Sequence, residues 1–176
     1  PHPLTDQYEL QRIAHPLYNS RSGGGEGHLE VAKNIYYSNK DLCHMVLSLK
    51  PFGCMPSTQS DGVQSAVVNR YRDMIYLPIE TSGEGEINAH SRVQMALGEA
   101  KVKAREELEG VLERTGRSLQ EVREYAAERP ELQDPLHPVP HTAGVVGVAA
   151  NFVLHVDALM RERTRPRIAT TTGSAG

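Results

Sequence analysis

The chain is predicted to be an α/β protein: an open, mostly parallel sheet forming a Rossmann-like subdomain, with extra helices toward its C-terminus. Three observations predict this. Two short apolar runs, residues 45–49 and 74–79, have the length of buried strands rather than helices. A segment of helical periodicity, residues 57–72, separates them, and a strand–helix–strand order favours parallel pairing. After the second run comes the longest helix, about residues 89–114. Its Val93, Leu97, Ala100, Ala104, Leu108 and Val111 recur at steps of four, three, four, four and three.

The elements follow in order. Residues 1–21 hold three prolines and little periodicity, with about one helical turn near Tyr8 to Ala14. Residues 22–27 form a glycine-rich loop, and a helix follows over about 28–38, with Leu29, Ala32, Ile35 and Tyr36 at helical spacing. Lys50-Pro51 closes the first strand. Ser57 or Thr58 can cap the next helix, with Val63, Ala66, Val67 and Tyr71 on one face. Pro78 places the second strand at an edge or lets it end there, because proline sits poorly in a central strand. Asn88 can cap the long helix, and Thr115-Gly116 ends it. Ser118 to Glu121 is a capping box opening a short helix to about Glu128. A proline-rich loop spans residues 130–141, and a last helix about 143–163. The resulting division is a leading segment with the glycine-rich loop (1–27), an α/β domain (28–116), a helical extension (117–163) and a tail expected to be disordered (164–176).

Composition narrows the function classes. Apolar residues make up 39%, with no Trp and two Phe, so the core rests on aliphatic side chains. A net charge of −3 and no basic stripe with interleaved aromatics point away from nucleic acid. The longest weakly polar run, residues 143–156, is too short to span a bilayer, so no membrane partner is expected. Two cysteines, Cys43 and Cys54, fit a cytoplasmic protein with reduced thiols better than a secreted disulfide scaffold. The chain opens on Pro1, which suggests a piece trimmed or cut from something longer.

Three constellations can carry chemistry. Cys54, in Lys50-Pro-Phe-Gly-Cys-Met-Pro56, follows a strand and precedes a helix, the edge at which open α/β sheets bind ligands. Helix-start amides there favour a thiolate; the bland alternative is a cysteine packed as a small hydrophobe. The acidic loop, residues 80–86, holds Glu80, Glu84 and Glu86, which could act as acid/base groups or could simply be solvated. The loop Arg21-Ser-Gly-Gly-Gly-Glu-Gly-His28 could cradle phosphate, although the lysine and Ser/Thr of a P-loop are absent. His137 and His141 lie four apart in the proline-rich loop, a weak metal signal, and His155 reads as a core histidine.

Three stretches together resemble the 2-hydroxyacyl-CoA dehydratase superfamily, in particular its long activase-related members. They are Arg21 to His28 leading into Val31-Ala-Lys-Asn-Ile-Tyr-Tyr37; Leu49-Lys-Pro-Phe-Gly-Cys-Met-Pro-Ser57; and the run from Leu77-Pro-Ile-Glu-Thr-Ser-Gly-Glu-Gly-Glu86 through Ser91-Arg92 to Leu97. The resemblance covers about residues 20–105, with an echo near residues 147–155. It implies that Cys54 is one ligand of an iron–sulfur cluster whose other cysteines lie in an upstream domain. Phe52-Gly-Cys54 matches the family's Phe-Cys pair with one glycine inserted. It also implies Glu80 and Glu84 as catalytic candidates, and Ser82 and Arg92 as substrate-binding ones. The implied activity is that of a lyase, a radical dehydratase fed by ATP-driven low-potential electron transfer in anaerobic metabolism, or of an iron–sulfur reductase. The implied partners are an upstream domain or a partner dehydratase subunit, an ATP-dependent activase and an acyl-CoA. The rival expectation is a non-catalytic scaffold domain with no cluster of its own.

Overall fold

The structure is a computed structural model and describes residues 4–22, 25–81 and 85–164. It is mixed α/β, with 62% of the described residues helical and a small parallel sheet. Helix α1 (Gln7–Ala14) is capped by Asp6, whose carboxylate accepts the Tyr8 amide at 2.9 Å. Helix α2 (Gly27–Asn39) and strand β1 (Val46–Pro51) follow, then α3 (Met55–Arg70) and β2 (Tyr76–Thr81). Helix α4 (Glu86–Thr115) runs 30 residues and ends on Gly116 in the left-handed region, as expected from Thr115-Gly116. The capping box forms as read: Ser118 and Glu121 bond reciprocally at the start of α5 (Leu119–Ala127). A short α6 (Pro130–Gln133) interrupts the proline-rich loop, and α7 (Val148–Thr164) closes the described chain.

Three boundaries differ from expectation for physical reasons. Helix α7 starts at Val148 rather than near Ala143, because Gly144 stands at φ +78° and Glu107 takes the Val146 and Gly147 amides. Helix α3 starts at Met55, so Cys54, not Ser57 or Thr58, occupies the cap position; Pro56 in the first turn needs no amide partner there. Helix α4 starts at Glu86 directly after Gly85, so Asn88 lies inside it.

β1 and β2 pair in parallel, Val46 beside Tyr76 and Lys50 beside Glu80. The Val46 amide donates to the Ile75 carbonyl at 2.9 Å, which sets the ladder's parity. Side chains of Val46, Ser48 and Lys50 therefore share one face, and Lys50 reaches α3 there. Leu77 and Ile79 are buried on the other face, where Leu47 and Leu49 remain open.

The core has two clusters. One joins Leu10 and Ala14 of α1, Val31, Ala32 and Ile35 of α2, and Val67 of α3. The other joins Val111 of α4, Val122 of α5, Leu132 of α6 and Ala150, Val153 and Val156 of α7. No helix among the described residues is long and apolar enough to cross a membrane.

Candidate functional site

The C-terminal end of the parallel pair gathers the three stretches singled out in the sequence. β1 ends in a turn whose Gly53 has φ +72°, a conformation that costs a side chain strain, although open space surrounds the position. The turn brings the Cys54 amide to the Pro51 carbonyl at 3.2 Å and sets Cys54 at the N-terminus of α3. Cys54 is half-buried, and its Sγ lies 3.3 Å from the Ser57 hydroxyl, so it is not walled in by apolar groups.

The glycine-rich loop packs on this turn. A Cβ on Gly25, which has φ +133°, would come within 2.4 Å of the Pro56 ring, and one on Gly27 within 2.9 Å of the Pro56 carbonyl. The described glycines of the loop thus let its backbone approach α3 closely. Glu80 reaches the same turn from β2: its Oε1 accepts the Gly53 amide at 3.4 Å. Cys54 and Glu80 therefore share one sheet edge, as parallel strands followed directly by loops require.

Arg92 is placed differently. Its guanidinium donates to the Pro78 carbonyl at 2.8 Å, tying the first turns of α4 to β2. Ser82 and Glu84 lie outside the described residues.

Beneath the turn lies a polar group that no pattern in the sequence marked. The Lys50 side chain is 3% exposed. Its ammonium donates to Asp61 and sits 3.4 Å from both the Ser57 carbonyl and Ser60 Oγ, and 3.6 Å from Glu30 Oε2. Burial alone would lower the Lys50 pKa; Asp61 and Tyr76 outweigh it and hold the ammonium above its ordinary range. Glu30, from α2, accepts hydrogen bonds from Ser57 at 2.9 Å and from Ser60. The fully buried residues of α3 are thus Ser57, Ser60, Gln64 and Val67; of the expected face, Val67 is buried, Val63 and Tyr71 pack partly buried against the same cluster, and Ala66 is exposed. One signal could have found it: Lys50 is the lone charge of β1.

Cys43 is elsewhere. It precedes β1, at the opposite end of the sheet from Cys54, and burial pushes its thiol pKa up. The edge therefore offers one sulfur. An iron–sulfur cluster takes about four ligands, so the described residues fit one donor of a shared cluster and not a complete site. Among the described residues no group of three or more His, Cys, Asp or Glu side chains is arranged to hold a metal ion. The expected histidine roles resolve separately: His137 Nε2 meets His155 Nε2 at 3.1 Å, while His141 lies 3.3 Å from the Asp41 carbonyl. Comparison of the chain with family models, with curated proteins and with solved structures returns no match.

Proposed function

We propose that this chain is one part of an iron–sulfur protein of the 2-hydroxyacyl-CoA dehydratase and activase-related type, donating Cys54 as one ligand of a shared cluster. The observation that carries the reading is the convergence at one sheet edge. Gly25 packs on Pro56, the Gly53 amide bonds Glu80, and Cys54 stands between them at a helix start. These three stretches lie far apart in sequence, and they are the ones that carry the family resemblance. The two parallel strands form, in this reading, the sheet of a Rossmann-like subdomain.

An upstream domain or a partner dehydratase subunit supplies the remaining cysteines, and an ATP-dependent activase supplies low-potential electrons. The cluster, when bound, provides one-electron chemistry toward an acyl-CoA. This chain's residues have other tasks. Cys54 presents its sulfur at the rim, Glu80 braces the turn, and Lys50 with Glu30 holds the first turn of α3 in place. The protein works in the cytoplasm, where thiols stay reduced.

The scaffold reading has one observation in its favour: Glu80 and Arg92 both spend hydrogen bonds on backbone groups of this chain. The half-buried sulfur beside a hydroxyl favours the first reading.

The test is anaerobic reconstitution. The isolated chain should stay colourless and free of iron. The longer polypeptide, or the chain with its partner subunit, should bind iron and sulfide, and Cys54→Ser should cut that content sharply. Unchanged iron, sulfide and visible spectrum in the Cys54→Ser protein would leave the scaffold reading standing.

A further inference from the structure

The two outer edges of the sheet are not equivalent. The bond from the Val46 amide to the Ile75 carbonyl fixes which residues face inward. In a parallel ladder the backbone groups of one residue point to the same side and alternate along the strand. Val46, Ser48 and Lys50 therefore bond β2, and Leu47, Leu49 and Pro51 turn their backbone groups to the free side of β1. On β2 the outward residues are Tyr76, Pro78 and Glu80.

The β2 edge is closed to a further strand. Pro78 has no amide to give, and its carbonyl is taken by Arg92 at 2.8 Å. The β1 edge is open. Leu47 and Leu49 each present an amide and a carbonyl there, and no backbone hydrogen bond outside the ladder reaches either residue among the described ones. Their side chains are 40% and 64% exposed, with Phe52 at 75% and Met55 at 60% just beyond. An apolar, unguarded edge strand of this kind is a template for pairing, and two strands alone make a marginal sheet.

We propose that this edge pairs with the same edge of a second copy of the chain, forming a continuous four-stranded sheet across a two-fold axis. The strand is self-complementary about Ser48. In antiparallel register, Leu47 of one copy faces Leu49 of the other, and each pair exchanges two amide-to-carbonyl bonds. The leucine side chains then stack in cross-strand pairs on the face left open in one copy. The blocked β2 edges end the assembly at two copies.

The surface area agrees. The chain exposes 12336 Å². Even if the residues outside the described ones are granted the full surface of an extended chain, the described body exposes about 1300 Å² more than a compact protein of its size. A stable interface takes about 800 Å² from each partner. The inference does not depend on the cluster reading, because it concerns the lateral edge of β1 and not the end that carries Cys54.

The test is mass in solution by light scattering or sedimentation at roughly 0.1 mM, where a micromolar dimer is formed. The expected mass is twice the 19.4 kDa of one chain. Leu49→Lys, at an exposed side chain, should give a monomer with unchanged helical circular dichroism. Arg92→Ala, on the closed edge, should leave the dimer intact. Amide exchange needs no variant: Leu47 and Leu49 should be protected in the wild-type chain and lose that protection on dilution to monomer. A wild-type monomer at this concentration overturns the proposal, as does a dimer that survives Leu47→Lys with Leu49→Lys. A monomer whose edge is taken by a strand from a different polypeptide also overturns it.

Discussion

The two core clusters use polar groups in opposite ways. In the C-terminal cluster each buried polar side chain is a staple with its partners in place. Asn151 accepts the Thr142 amide and donates to the carbonyls of Val145 and Gly147. Asp157 takes Arg117 at 2.8 Å and Arg161 at 2.7 Å. Glu107 of α4 holds the Val146 and Gly147 amides at 2.7 and 2.6 Å, which fixes the start of α7. The N-terminal cluster has polar groups to spare. Asn34 donates to Gln64 at 2.7 Å between α2 and α3, yet Asn34 Oδ1 and Gln64 Nε2 are buried with no partner. Lys50 and its two carboxylates sit alongside. Buried polar atoms left unpaired reduce stability, so the N-terminal half bears a cost that the C-terminal cluster does not.

Lys50→Met gives the largest expected effect. It keeps the length of the side chain and removes the charge between Glu30 and Asp61, which should cost about 3 kcal/mol in urea unfolding. A loss below about 1 kcal/mol would make the network equivalent to a surface ion pair and erase the contrast between the halves. Val153→Ala comes next, at about 2 kcal/mol, because it opens space in an apolar core. Hydrogen exchange sharpens this case: amides of α5 to α7 should speed up while those of α1 and α2 stay protected. Uniform acceleration would mean that the two clusters unfold as one.

Arg92→Ala should cost about 1 kcal/mol by freeing the Pro78 carbonyl. In the longer, active protein its effect on substrate affinity then separates brace from binder. An affinity loss larger than the stability loss would assign Arg92 to the substrate, and equal losses would leave it as a brace.

The smallest effect is a pH dependence confined to the C-terminal half. Burial, then the neighbouring His137, lower the His155 pKa below its ordinary value. The folded state then binds fewer protons than the unfolded one, so stability falls as pH drops. The loss begins near the unfolded value of about 6.5 and levels off below the folded one. It should amount to a fraction of a kcal/mol, and His155→Gln should abolish it. Asp157, whose carboxylate Arg117 and Arg161 hold low against the opposing effect of burial, contributes only in the more acidic range below about 4. The two contributions are therefore separable in a thermal melt series.

Apolar periodicity made the element order legible, and the run-lengths at residues 45–49 and 74–79 located both strands to within two residues. It failed where polarity is buried. Ser60 and Gln64 lie off the apolar face read for this helix, and Ser57 was read only as a cap, yet all three line the seam with α2 and meet Glu30 and Asn34 across it. No local pattern encodes that, because Glu30 and Asn34 lie about thirty residues away in the chain. The stripe on α4 marked the right face but not its depth: of the six apolar positions only Val111 is fully buried, and the other five are half-buried. At the site, Cys54 and Glu80 could be placed at one edge from the strand–loop order alone. The bond from Arg92 to Pro78 could not, since it depends on which edge of β2 stays free.

The length of α4 has a mechanical consequence. At 30 residues it is a rod of about 45 Å. One end is seated among Val122, Val153 and their neighbours, and the other carries the residues just after the acidic loop. A pivot of about 5° at the seated end would sweep the far end by about 4 Å over that length. Arg92 on the Pro78 carbonyl and Lys103 on the Asp73 carbonyl restrain that sweep, so the rod couples the C-terminal cluster to β2 instead of swinging free of it.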